Sequence, residues 1–270
     1  MTEKETITYL TTSNGLRIVH RQIDAAAEYC GIDVNAGSRD EQRGIYGIAH
    51  FIEHTIFKGT TRHSPSYILN CMEEVGGELN AFTNKEETVI YSIFPTGHLK
   101  RACDLIGELV TKSVFPEEEL RKEREVIIDE ILSYRDTPSE AVYDDFDELI
   151  FKGSSLGHNI LGTERSVRNI TSDDCREFLK SFYTARNMVF FYLGPTPAET
   201  VLEAVEHGFS SLRDVAAPNR RMRPRPTLPF NVNRDSGHHQ CHTILGTRIP
   251  GIASPDRTAL ALLNNIIGGP

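Results

Sequence analysis

One short run carries residue types that do chemistry at a usable spacing: Gly47-Ile48-Ala49-His50-Phe51-Ile52-Glu53-His54-Thr55-Ile56-Phe57. His50 and His54 stand at i and i+4, so on a helix both imidazoles leave one face about a turn apart. Glu53 falls beside them on that side, at about 100° per residue. Ile48, Ile52 and Ile56 recur every four residues on roughly the opposite side. One face therefore suits a core, and the other presents two imidazoles and a carboxylate. Neutral imidazoles at this spacing suit tetrahedral zinc, and a carboxylate beside the ion can take the proton of a water activated there. The competing reading is a solvated helix face that happens to carry two histidines.

A zinc site needs a third protein ligand. The acidic, strongly helical segment 117–134 carries Glu123 and Glu130 at i and i+7. Both fall on one face but about 10 Å apart along the axis, so they cannot both bind one ion directly. One is expected as the ligand and the other as a supporting or accessory group. Helical geometry does not say which. Val126, Ile127, Ile128 and Ile131 in the same stretch require part of it to be buried.

The elements that must position these groups are legible from periodicity and turn signals. Alternation over 6–10 and 16–19 flanks Asn14-Gly15, a hairpin signal, and a third strand is expected over 29–35. The histidine helix spans about 45–57, and Ser64-Pro65 opens a helix that Gly76-Gly77 stops. Strands follow at 78–83 and 88–94, helices at 97–112, 117–134, 139–151 and 172–182, a strand at 186–193 and a helix at 197–212. Residues 213–229 are rich in Arg and Pro without apolar period, as in a linker, with Arg220, Arg221, Arg223 and Arg225 read as a solvated hinge. Residues 230–248 look strand-like and 256–267 helical. The fold class is α+β: a mixed, mostly antiparallel sheet covered by helices, because hairpins come early and helix runs late. The domain reading is a catalytic unit over 1–212, the linker over 213–229, and over 230–270 the beginning of a second α+β unit that cannot bury its own apolar face, so a longer natural polypeptide is expected.

Composition narrows the function classes. Net charge is −9 over 270 residues, which argues against nucleic acid as a partner. No run approaches the ~20 apolar residues of a membrane span, and the N-terminus does not read as a secretory signal. Five scattered cysteines without a C-x-x-C pair suit a reducing compartment, so a cytoplasmic location is expected. The cluster His238-His239-Gln240-Cys241-His242 is declined as a second metal site: on a strand, His238 and His242 share a face about 13 Å apart.

The run from the Arg39–Arg43 region to Thr60, with H-F-I-E-H at its centre, resembles the metal-binding segment of the pitrilysin, insulysin and mitochondrial processing peptidase family, the inverzincin signature. That family's third ligand is a glutamate some 76 residues beyond the second histidine in an E-x(6)-E helix, and Glu130 stands 76 residues after His54. The resemblance implies His50, His54 and Glu130 as zinc ligands, Glu53 as general base and Glu123 as a catalytic accessory. Gly76–Thr83 is similar to the family's G-G-x-x-N-A-x-T segment, which makes Asn80, Ala81, Phe82 and Thr83 an edge strand that receives peptide substrate. Residues 156–162 and Asn187-Met188-Val189 also match in order and spacing.

The resemblance thus implies the processing-peptidase metallohydrolase fold and a zinc-dependent endopeptidase acting on oligopeptides or unfolded segments. A homodimer or a partner half of the full-length protein would close the cleft. The alternative is a non-catalytic homologue acting as a partner or scaffold subunit; such homologues lose motif residues, and all five are present here. A lyase of the S-ribosylhomocysteinase type also uses H-x-x-E-H but expects a cysteine as third ligand, and neither Cys103 nor Cys175 is suitably placed. The family's second domain contributes an arginine and a tyrosine to the tetrahedral intermediate, and no matching positions precede Pro270, so the 270-residue chain is expected to bind zinc but cleave peptides weakly.

Overall fold

The computed structural model describes residues 7–219, 221–235, 237 and 239–268; Thr6, Arg220, His238 and Pro270 of the readings above lie outside these. Strands β1 (Ile7–Thr11) and β2 (Arg17–Gln22) form the expected hairpin through Asn14-Gly15, with Gly15 at φ 86°. Strand β3 (Ala27–Val34) leads to helices α1 (Ile48–Thr55) and α2 (Pro65–Glu73), the latter capped by the Ser64 hydroxyl, which accepts the Tyr67 N–H. Strands β4 (Glu78–Thr83) and β5 (Thr88–Pro95) form a second hairpin. Helices α3 (Leu99–Lys112), α4 (Glu117–Arg135) and α5 (Pro138–Ile150) follow, then α6 (Glu164–Asn169) and α7 (Ser172–Phe182), strand β6 (Met188–Gly194) and helix α8 (Ala198–Gly208).

The six strands make one open sheet in the order β1-β2-β6-β3-β5-β4, antiparallel except for the parallel β2–β6 pair. This is the α+β architecture read from the sequence. Register sorts the side chains onto two faces. Ile18, Phe190, Tyr192, Cys30, Ile32 and Ile90 point into the core and are at most 2% exposed. The opposite face carries Tyr9, Phe191, Tyr29, Tyr91 and Phe82, and there Tyr9, Tyr29 and Phe82 are exposed. Gly31 is the low point of that face: a Cβ there would meet the Phe191 ring and the Ile90 carbonyl at 2.6 Å.

One expectation for the C-terminal part fails. The strand over 230–248 is absent; the described residues there adopt no regular structure. A strand needs a hydrogen-bonding neighbour, and none of these residues pairs with either free edge of the sheet. The helix at 256–267 does form, as α9 (Arg257–Gly268), and, as expected of a part that cannot bury its own apolar face, none of its residues is buried and Leu262, Leu263, Ile266 and Ile267 stay exposed.

Nor is Arg221 a solvated hinge residue. Its guanidinium grips the buried Asp40 carboxylate at 2.6–2.9 Å and the Asn35 side-chain oxygen at 2.7 Å, while Arg39 donates to the Met222 carbonyl at 2.7 Å. A buried carboxylate demands a cation, and Arg221 supplies it. Arg223 and Arg225 are exposed, as expected.

Candidate active site

Helix α1 is short and held at its N-terminal end. Gly47, at φ 92°, turns the chain into it, and the N–H groups of Gly47 and Ala49 donate to the Glu41 carboxylate at 2.8 and 3.0 Å. A carboxylate there satisfies donors that have no partner within the helix and lies at the positive end of its dipole. Burial, opposed by these two bonds, pushes the Glu41 carboxyl up to about 8. The loop 157–163 presses on the same turn: a Cβ on Gly162 would come within 2.2 Å of the Tyr46 carbonyl, and one on Gly47 within 2.5 Å of the Leu161 carbonyl. Ile48, Ile52 and Ile56 are fully buried, so the apolar side of the helix is the one read from its period.

The polar side faces α4 and β4. His50 Nε2 and His54 Nε2 lie 3.7 and 3.6 Å from the same Glu130 oxygen, Oε2. One ligand atom from each of the three residues lies within 4.8 Å of the others. Two bonds of about 2.1 Å at a tetrahedral angle place donors about 3.4 Å apart, so the trio fits a single zinc-sized ion with little adjustment. The two imidazole rings stand 4.6 Å apart, inclined at 61°. Burial, reinforced by neighbouring His54, drives the His50 imidazole down to about 3, which leaves it neutral and its lone pair available.

Glu123 and Glu130 take different places, which helical geometry alone left open. Glu123 does not reach the Nε2 atoms; its Oε2 lies 3.3 Å from His54 Nδ1, on the far side of that ring. Its Oε1 receives Lys58 Nζ at 2.8 Å. Leu120, Ile127, Ile128 and Ile131 anchor α4 in the core, whereas Val126 is half exposed. The Glu53 carboxyl is raised, chiefly by burial, against hydrogen bonding from Thr83 that favours its ionised form. Asn80, Ala81, Phe82 and Thr83 lie on β4, which among the described residues pairs only with β5, leaving its other side open. Ala81 and Thr83 turn toward the core side, Asn80 and Phe82 toward the open face. Sequence reading passed over Lys58 and Glu41. The signal for Lys58 was its i+4 distance from His54; Glu41 had none beyond a carboxylate shortly before a helix start.

A family model described as insulinase (peptidase family M16) matches residues 17–164, more than half of the chain, a span that includes His50, Glu53, His54, Glu123 and Glu130. The chain belongs to peptidase family M16. A second model of the family, described as the peptidase M16 inactive domain, matches residues 169–270. Among curated relatives, the uncharacterized zinc protease YmxG of Bacillus subtilis is 32% identical over 260 residues, 96% of this chain and 63% of its own. A probable mitochondrial-processing peptidase subunit beta of Arabidopsis thaliana is 34% identical over 203 residues, 75% of this chain and 38% of that one. The M16 chain described here thus spans less than two thirds of the length of these relatives. Solved structures share the fold: a protease from Helicobacter pylori at TM-score 0.74 and 24% identity, covering 83% of this chain and 54% of that one. A peptidase M16 inactive domain from Pseudomonas fluorescens aligns at TM-score 0.83 and 16% identity, over 98% of this chain and 65% of that one. Among the described residues no helix is long and apolar enough to cross a membrane.

Proposed function

We propose that this chain is the catalytic part of a zinc-dependent endopeptidase acting on oligopeptides or unfolded segments. His50, His54 and Glu130 hold the ion, Glu53 is the general base, and Glu123 supports the site from behind His54. The convergence of two imidazole nitrogens on one Glu130 oxygen carries this reading. When bound there, zinc supplies Lewis acidity toward a peptide carbonyl and an attacking water. Glu53 takes the proton of that water and delivers it to the leaving amine. Its raised carboxyl suits a group that must both accept and return a proton. The open edge of β4 offers main-chain hydrogen bonds to an extended peptide, at Asn80, Ala81, Phe82 and Thr83, indifferent to the peptide's side chains. Contact between Thr83 and Glu53 keeps that edge beside the base.

The half-exposed sheet face bearing Tyr29 and Phe82 supports enclosure by a partner half or a second copy. The residues after 212 fit a linker over 213–229 and the opening of a second unit over 230–270. Five free cysteines support a reducing, cytoplasmic setting.

The decisive variant is Glu53→Gln, assayed for cleavage of an unstructured peptide by the zinc-loaded chain. Loss of 10²–10⁴-fold in rate with zinc content unchanged is expected. Zinc binding with no cleavage by the unaltered chain, alone or joined to the rest of a longer polypeptide, would instead favour a non-catalytic partner subunit.

A further inference from the structure

Lys58 stands one turn beyond His54, just past the end of α1, with its side chain about a quarter exposed. Its Nζ lies 2.8 Å from Glu123 Oε1, and the other oxygen of the same carboxylate faces His54 Nδ1 at 3.3 Å. The segment that carries it is fixed. Lys58 N–H donates to the Thr55 carbonyl, Thr60 N–H to the His63 carbonyl, and the Thr60 hydroxyl to the buried Glu108 carboxylate, which His63 Nδ1 also meets at 2.8 Å. Lys58 therefore does not sweep solvent; it is presented to Glu123 by a pinned turn.

Charge shows why a cation is needed there. Glu53, Glu123 and Glu130 bring three carboxylates around two imidazoles, one more negative charge than a divalent ion neutralises. Glu123 is 13% exposed, and a carboxylate withdrawn from water without a partner is costly. We propose that Lys58 is a positioning residue of the metal site: it neutralises Glu123 and holds its carboxylate where it accepts the His54 Nδ1–H, so that His54 presents the Nε2 lone pair to the ion. The relay runs Lys58–Glu123–His54, and Lys58 touches neither metal nor substrate. Partners of this kind behind a histidine ligand set ring orientation and ligand basicity, and their removal typically costs 10–100-fold in metal affinity. The inference rests on the zinc reading and deepens it.

The test is Zn2+ affinity by competition with a chromophoric chelator on the 270-residue chain, for Lys58→Met, Lys58→Arg, Glu123→Gln and the Lys58→Met/Glu123→Gln pair. Thermal melts of the metal-free proteins by circular dichroism control for folding. Lys58→Met is expected to weaken Zn2+ binding about tenfold and to alter the visible spectrum of the Co2+-substituted chain. Arginine at 58 is expected to keep most of the affinity. The double variant should bind no more weakly than Glu123→Gln alone, because Lys58 acts through that carboxylate. Unchanged affinity in Lys58→Met, or losses that multiply in the double variant, would overturn the relay. A separate control isolates the parent reading: if His54→Ala binds Zn2+ as tightly as the unaltered chain, the metal site itself is wrong and the relay falls with it.

Discussion

At the residue scale, the histidine pair was readable because i and i+4 fixes direction without any knowledge of neighbours. The different positions of Glu123 and Glu130 were not. They depend on how α4 crosses α1, which brings Glu130 to both Nε2 atoms and Glu123 to the back of His54. Only the family resemblance chose between them in advance. Glu41 shows a second limit, since its importance comes from the two N–H groups it meets, not from its own neighbourhood in sequence. A carboxyl raised to about 8 in the native chain, against 4.5 ordinarily, keeps its proton where the unfolded chain has lost it. Native protein then binds more protons than unfolded protein between those values, so stability falls as pH rises through that window and levels off above it. Glu41→Gln removes the titrating group. Urea melts of the metal-free proteins should show the variant gaining on the unaltered chain from pH 5 to 8. A difference that stays constant with pH would contradict the assignment.

Elements were legible wherever a period repeated. The histidine helix, the acidic helix and both hairpins lie within a few residues of their expected limits. Helix α6 was missed because six residues give too little period. Its capping box, Thr163 with Ser166, was nevertheless present in the chain. What no period reveals is the backbone-to-backbone approach of loop 157–163 to the start of α1. Gly162, at φ 74° with Tyr46 carbonyl oxygen 2.2 Å from an added Cβ, and Gly153, at φ 77° with nothing within 4 Å, make a matched pair. Gly153→Ala should cost about 1 kcal/mol for its backbone alone. Gly162→Ala should cost about 3 kcal/mol or more, with weaker zinc binding because the start of α1 is displaced. Equal denaturation midpoints for the two variants would remove the loop from the set of supports for α1.

The whole molecule was the least legible level. Residues 230–248 looked strand-like, but strand formation depends on a neighbour far away in sequence, and no described residue there has one. Arg221 looked like one arginine among several, and only the fold sets the Asp40 carboxylate beneath it. Through Arg221 and Arg39 the segment around Arg221 and Met222 is fastened next to the β4–β5 turn, since Arg39 also pairs with Glu86. Arg221→Ala leaves Asp40 buried without its cation and is expected to cost about 3 kcal/mol, near the low end for a broken buried pair because the arginine is one fifth exposed. Adding Asp40→Asn should recover much of that loss in urea denaturation, and an unaffected single variant would show that the tie is incidental.

The most direct measurement is a crystal structure of the zinc-soaked chain with anomalous data across the zinc absorption edge. The expected result is one strong peak about 2.0–2.2 Å from His50 Nε2, His54 Nε2 and a Glu130 oxygen together. No peak among these three residues, or one coordinated by Glu123 in place of Glu130, would contradict the proposed metal centre.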